Sequence, residues 1–487
     1  VIATGVMKAG APKHAKHEGR KLSDSARFQP RRSNKARSAS RHQLEHGSKS
    51  APERMSRNAT TFHASASRIT SLVVDSLTAA LAVILKFDGP SDVLLSRFFR
   101  LHPALGQRDR GLIAEAVFFA LRRYATLGWM MQPAHPARAA RFAALVTLAR
   151  QHGLDAIDQR ALRGDANAVK QALTIDLAQA PTSVQAELPH WLFVEIERQY
   201  EDAAPLIDAL RQSAPLDLRV NSIKASRAEV LEELAAHHVG AAPTPYSPDA
   251  IRLASKPALT NWPAYREGRI EVQDEGCQLI ARLLQPRRGQ MVVDFCAGAG
   301  GKTLALGALM RSSGRLYAFD VNEKRLAGLG PRLKRSGLSN VHPVVIRNES
   351  DIRVKRLNGK CDRVLVDAPC SGSGTLRRNP DLKWRFSESE LARVNDVQHS
   401  VLRAAARLLK PGGRLVYATC SLLARENQQV VDAFLAAHPE YELIPAATVL
   451  RAQSIDVEHA ARFAPYFVML PHLHGTDGFF AAIFERR

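Results

Sequence analysis

Apolar residues recur at helical spacing from Arg68 onward. Leu72, Val73, Leu77, Leu81, Ile84 and Leu85 make one stripe, and Leu112, Ile113, Ala116, Phe119 and Leu121 make another; such spacing lines one face of an α-helix. Two further runs, Ala139 to Leu148 and Leu188 to Tyr200, extend the pattern. Together they predict an all-α domain over residues 68–200. The period then shortens to two. Pro215-Leu216-Asp217-Leu218-Arg219-Val220-Asn221 alternates, a helix is expected over Arg227 to Ala236, and Ile251-Arg252-Leu253 and Arg269-Ile270-Glu271-Val272 read as strands. Residues 201–285 are therefore expected to form a small α/β module.

After Pro286, strands alternate with helices to the end of the chain. The expected strands are Met291 to Phe295, Arg315 to Phe319, Val341 to Ile346, Arg363 to Val366 and Arg414 to Ala418. This alternation predicts a doubly wound, Rossmann-like α/β domain with a parallel sheet over residues 286–487. Residues 1–67 show neither period. They are rich in Lys, Arg, Ser, His and Ala, a composition that cannot bury enough apolar surface to order itself, so a disordered basic arm is expected.

Charge narrows the partner. The 487 residues carry a formal net charge of +21, with a pI near 10.1. Such a balance points to a polyanion, with nucleic acid first. The arm carries part of the excess, as a phosphate-binding segment, a solvated tail or an organelle transit peptide. Arg219 and Asn221 are expected to be available for phosphate contacts. Gln107-Arg108-Asp109-Arg110 and Arg122-Arg123 would give the helical domain a basic edge, or a merely solvated face. No apolar run reaches membrane-spanning length, so a soluble, cytoplasmic protein, monomeric and without a membrane partner, is expected. The five cysteines, Cys277, Cys296, Cys361, Cys370 and Cys420, lack the paired short spacing of a zinc site. Their odd number suits reduced thiols, most of them buried fillers.

The candidate chemistry sits at the strand ends. Val292-Val293-Asp294-Phe295 runs into Cys296-Ala297-Gly298-Ala299-Gly300-Gly301-Lys302-Thr303, a glycine turn that opens a helix. Such a turn brings backbone N–H groups close to a small polar or anionic ligand, or is simply a tight turn. Its spacing matches neither the Walker loop nor the dinucleotide fingerprint. Asp320 follows the second strand, where an acid can accept a ribose diol or cap the next helix. Loop and acid together favour an adenosine-containing cofactor, either S-adenosylmethionine or a dinucleotide. Asp367-Ala368-Pro369-Cys370 and Thr419-Cys420-Ser421 each put a thiol on the same rim. Hydride transfer has no use for two thiols there, whereas methylation of a pyrimidine carbon does, because a thiolate must first activate the ring.

From about Leu216 onward the chain resembles the RsmB/Nop2/Sun family of RNA cytosine-5 methyltransferases. The matching motifs are Cys296 to Thr303, Asp367 to Gly374 with Arg377-Arg378-Asn379-Pro380-Asp381-Leu382-Lys383-Trp384, Thr419-Cys420-Ser421, and Asp477-Gly478-Phe479-Phe480. The helical region, with Asp109-Arg110 and Leu121-Arg122-Arg123, is similar to the NusB-like RNA-binding domain that precedes the catalytic part in the bacterial ribosomal member. The resemblance implies S-adenosylmethionine as cofactor, held by Cys296, Ala297, Gly298, Ala299, Gly300, Gly301, Lys302, Asp320, Asn348 and Asp367. It implies Cys420 as the nucleophile toward carbon 6 of a flipped cytosine and Cys370 as the group that helps release the product. Asp367 would hydrogen-bond the base, and Lys302 would help keep the thiolate ionised.

Two positions depart from the family pattern. Ala299 stands where a proline is usual, and Asn348 stands where an aspartate usually meets the adenine amino group, so weaker cofactor binding is expected. The substrate implied is RNA, 16S ribosomal RNA first and transfer RNA as the alternative. A different class of reading, a non-catalytic RNA-binding assembly factor, is opposed by the presence of both thiols.

Overall fold

The structure, a computed structural model, describes residues 68–201 and 203–487; the basic arm expected over 1–67 lies outside the described residues. The chain from Arg68 opens with the helices Ser71–Ile84, Ser91–Leu101, Gln107–Arg122 and Ala140–His152. Leu77, Leu81, Ile84, Ile113, Leu121 and Leu145 are all but fully buried in one core, each worth roughly 1.5–3 kcal/mol of apolar transfer. Leu72 departs from its predicted stripe. It is 56% exposed, because Val73 and Val74 turn inward in its place.

A later helix, His190–Gln199, leaves that core. Its Leu192, Phe193 and Ile196 pack instead with Leu376, Leu382, Leu422 and Leu423, so this end of the helical region lies against loops of the C-terminal sheet. Four strands follow: β1 Leu216–Val220, β2 Ala241–Pro243, β3 Ala250–Leu253 and β4 Ile270–Val272. They form one antiparallel sheet in the order β2-β3-β1-β4. The helix Arg227–Ala236 covers it, begun by a capping box between Ser226 and Glu229.

The larger sheet contains β5 Met291–Asp294, β6 Arg315–Asp320, β7 Val341–Val345, β8 Cys361–Asp367, β9 Leu409–Thr419, β10 Tyr441–Ile444, β11 Phe467–Met469 and β12 Phe479–Arg486. Its order is β10-β12-β9-β8-β5-β6-β7, with β11 also paired to β12. Strands β5 to β9 are parallel. The expectation of a wholly parallel sheet is corrected at the C-terminal edge. There β12 runs antiparallel to β9, β10 and β11, and the sheet is mixed. Phe479 to Phe484 are all buried, and a continuous apolar run does not encode strand direction.

This order places the site. From β5 the chain goes outward to β6 and β7, then crosses back to β8 on the other side of β5. The connections leaving β5 and β8 diverge, which opens a crevice at the carboxyl ends of these strands.

Candidate active site

The loop after β5 is built by its backbone. Gly298 and Gly300 have φ of +57° and +82°, and a Cβ on Gly300 would lie 2.3 Å from a methyl of Leu329, so only glycine fits there. Gly298 N–H donates to Asp320 Oδ2 at 2.7 Å, and Asn322 N–H donates to Asp320 Oδ1 at 2.7 Å. Asp320 thus ties the loop to the end of β6. Each of its oxygens keeps acceptor capacity for a ligand hydroxyl. Ala297 is buried in this turn and Ala299 is exposed.

Two arginines hold the same loop by its carbonyls. Arg332 Nη1 donates to Ala299 O at 2.7 Å while its other nitrogens bind Glu271 of β4. Arg219 Nη1 of β1 donates to Gly301 O at 2.7 Å and also to Gln273 Oε1. Hence Arg219 is not available for phosphate contacts. Asn221 is not available either, since its Nδ2 donates to Gly268 O and Ser336 O, both at 2.9 Å. Both side chains sit on the polar side of an alternating strand, and the helix Leu329–Ser336 covers that side. Arg110, expected on a basic edge, donates from Nε back to Leu105 O at 2.8 Å.

Lys302 lies on the first turn of the helix Gly301–Leu309, which the glycine loop opens. It is 8% exposed, and its Nζ is 2.8 Å from Asp367 Oδ2 at the end of β8. Burial works to lower the ammonium pKa. Asp367, then Cys277 and Cys420, outweigh it, and the pKa stands above the ordinary lysine value. Lys302 is therefore a fixed cation. Beneath it, Thr303 Oγ1 donates to Asp294 Oδ2 at 2.6 Å, while Asp294 Oδ1 has no partner. Burial pushes the Asp294 carboxyl up to about 7.

The two thiols meet. Cys370 and Cys420 leave the neighbouring strands β8 and β9, and their Sγ atoms are 3.4 Å apart. The hydrogen bond between the two thiols lowers Cys420; burial and Asp367 oppose this, and Lys302 adds to the lowering. The same bond, with burial, pushes Cys370 well up. The opposite directions make Cys420 the more readily ionised member of the pair. The Cys296 thiol is pushed up by burial and by Asp320, Asp294 and Asp367, which leaves it protonated and unreactive.

The fold thus brings Lys302, Asp367, Cys370 and Cys420 together beside the loop Cys296 to Gly301 and Asp320. Asn348 stands apart. It is exposed, and its Oδ1 accepts Ser350 N–H at 2.9 Å inside its own loop. Two residues that pattern reading missed complete the site. Cys277 joins it through Lys302 and accepts a hydrogen bond from Gln273 Nε2 at 3.1 Å. Glu426 is fully buried and clamps both thiol loops. It accepts Ser371 N–H at 2.7 Å, Ser371 Oγ–H at 2.5 Å, Gln398 Nε2 at 3.1 Å and the Ser421 hydroxyl.

Comparison with known proteins places this arrangement. Residues 281–485 match the family described as 16S rRNA methyltransferase RsmB/F, and residues 188–260 match the RsmF/B-like ferredoxin-like domain. The chain is 32% identical over 433 residues to a probable ribosomal RNA small subunit methyltransferase B of Synechocystis, covering 81% of this chain and 95% of that one. It is 31% identical over 426 residues to a ribosomal RNA small subunit methyltransferase B of Yersinia enterocolitica, covering 80% and 93%. The crystal structure of PH0851 superposes with a TM-score of 0.73 at 26% identity, over 86% of this chain and 99% of that one.

Proposed function

We propose, because this chain belongs to the RsmB/Nop2/Sun family of methyltransferases, that it methylates carbon 5 of a cytosine in RNA, with 16S ribosomal RNA as substrate. S-adenosylmethionine is its cofactor, and it supplies the methyl group as an electrophile. The site suits that molecule. The loop leaves no room for a side chain at Gly300, Asp320 retains acceptor lone pairs for a ribose diol, and Asn348, exposed and bonded within its own loop, would have to turn from that loop to meet the adenine.

One observation carries the reading: two thiols 3.4 Å apart beside an ion pair between buried Lys302 and half-buried Asp367. A cytosine is not nucleophilic at carbon 5. In the proposed course the Cys420 thiolate adds to carbon 6, forming an S–C bond, while a proton held between Asp367 and ring N3 takes up the charge that the addition pushes into the ring. Carbon 5, now enamine-like, gains the methyl group. Cys370, once its own proton has passed to solvent, takes the carbon 5 proton. The C–H electron pair re-forms the carbon 5–carbon 6 double bond, the S–C bond breaks with its electrons on Cys420, and ring N3 returns its proton to Asp367. Taking the base out of its stack costs a few kcal/mol, least for an unpaired loop, so structured RNA with an exposed cytosine is the fitting substrate. The helical region, which resembles a NusB-like domain, would then help choose the RNA. Retention of both thiols favours this over a non-catalytic assembly factor.

The test is transfer of tritium from labelled S-adenosylmethionine to 16S ribosomal RNA or to transfer RNA. Wild-type protein should label the ribosomal RNA, and Cys420→Ala should lose at least about a thousandfold in rate. Undiminished activity in Cys420→Ala would overturn the proposed chemistry, and labelling of transfer RNA alone would move the substrate.

A further inference from the structure

A cleft of about 410 Å³ opens where three parts of the chain meet: the segment Ser213 to Leu216 leading into β1, the turn Arg252 to Lys256 after β3, and Arg377 with Gly475 of the catalytic part. Arg122, from the helical region, reaches the same place, since its Nη2 donates to Arg377 O at 3.3 Å.

The cations around this cleft fall into two groups. Arg252 is bidentate to Asp217 at 2.7 and 2.9 Å, and Arg378 binds both Asp274, at 2.8 Å, and Asp477 at 2.5 Å. These build the wall. Lys256, Arg377 and Arg122 form no ion pair with any carboxylate among the described residues. The Lys256 ammonium meets only the Ser213 hydroxyl, at 2.5 Å. Arg377 is 7% exposed and gives its Nη1 to the carbonyls of Gly475 and Thr476 at 3.3 and 3.0 Å. Its Nε, like that of Arg122, is buried without a hydrogen-bond partner.

Lys256, Arg122 and Arg377 repel one another, and at Arg377 the Asp477 and Asp274 carboxylates offset part of this through space without contacting it. Burial first, and then Arg122, Arg378 and Arg377, hold the Lys256 ammonium below the usual lysine value. An anion with several oxygens would relieve this repulsion and leave the paired wall unchanged. Arg377 lies seven residues after Cys370, in the segment that follows β8.

We propose that this cleft seats a backbone phosphodiester of the RNA substrate, with Lys256 as its direct contact and Arg377 and Arg122 supplying the field behind it. The assignment rests on the RNA-methyltransferase reading above. Such a contact fixes the register of the RNA and carries no base information.

The experiment uses the full chain and in-vitro-transcribed 16S ribosomal RNA, with filter binding over a range of salt and tritium transfer on the same preparations. Lys256 is exposed, so its replacement should leave the unfolding temperature unchanged. Lys256→Glu should weaken RNA binding about tenfold or more and lower the slope of log affinity against log salt by about one. It should raise KM for RNA and leave kcat intact, and Lys256→Arg should restore binding to within about twofold. Wild-type protein that methylates the transcript while Lys256→Glu binds equally well, with the same salt slope, overturns the phosphate seat alone. Wild-type protein that transfers no methyl to RNA overturns the activity and the seat together.

Discussion

The two halves of the catalytic rim are held by opposite means. On the β5 and β6 side the loop is fixed through its backbone: Gly298 N–H on Asp320, Ala299 O on Arg332, and Gly301 O on Arg219. On the β8 and β9 side, one buried side chain, Glu426, gathers Ser371, Ser421 and Gln398 and sets both thiol loops at once. A backbone-held loop tolerates change in an exposed side chain such as Ala299, because Arg332 restrains the loop through the Ala299 carbonyl. A loop pair hung on one carboxylate tolerates little.

Among the residues that hold the rim rather than react, the largest effect should therefore come from Glu426. Glu426→Ala strands several buried donors, each worth about 1–3 kcal/mol, so a loss of roughly 2–4 kcal/mol in denaturant unfolding is expected, together with a fall in kcat of about a hundredfold. Glu426→Gln should recover part of both. A fall in cofactor affinity with the thiols unaffected would break the division between the halves.

Lys302 bridges the halves, and its removal should have an intermediate effect. The ammonium helps lower Cys420, so Lys302→Met should raise the thiol and shift the pH–rate profile of methyl transfer toward alkaline pH. At neutral pH the rate should fall about tenfold, with part of it recovered as pH rises. A profile that keeps its midpoint would show that Cys370, not Lys302, sets the ionisation of Cys420.

The smallest effect belongs to the cofactor half. An amide accepts the adenine amino hydrogen more weakly than a carboxylate, and Asn348 already spends its Oδ1 on Ser350 N–H. Asn348→Asp should tighten S-adenosylmethionine about fivefold by calorimetry, on the order of 1 kcal/mol. Unchanged, ordinary affinity would remove Asn348 from the cofactor site.

The contrast also explains what was legible in the sequence. The glycine turn, Asp320 and the two thiols each lie at a strand end, and strand ends can be read from the alternation of strands with helices; the strand order that opens the crevice between β5 and β8 comes from the fold. Glu426 sits in a polar run, Arg425-Glu426-Asn427, that reads as solvated, and its partners Ser371 and Gln398 lie 55 and 28 residues away. Only the closed fold makes it a buried clamp. Arg219 misled for the same reason. A polar position on an alternating strand says that the side chain avoids the core, not that it meets solvent, and here it meets the carbonyl of Gly301. The antiparallel β12 was hidden because its side chains are buried on both faces.

The separate roles of Cys420 and Cys370 are the central claim, and one measurement addresses them directly. Wild type, Cys370→Ala and Cys420→Ala are incubated with 16S ribosomal RNA and S-adenosylmethionine, denatured, and resolved for protein–RNA adducts by gel and mass spectrometry. The account predicts a stable adduct through Cys420 in Cys370→Ala and none in Cys420→Ala. An adduct that persists in Cys420→Ala and is lost in Cys370→Ala would contradict it.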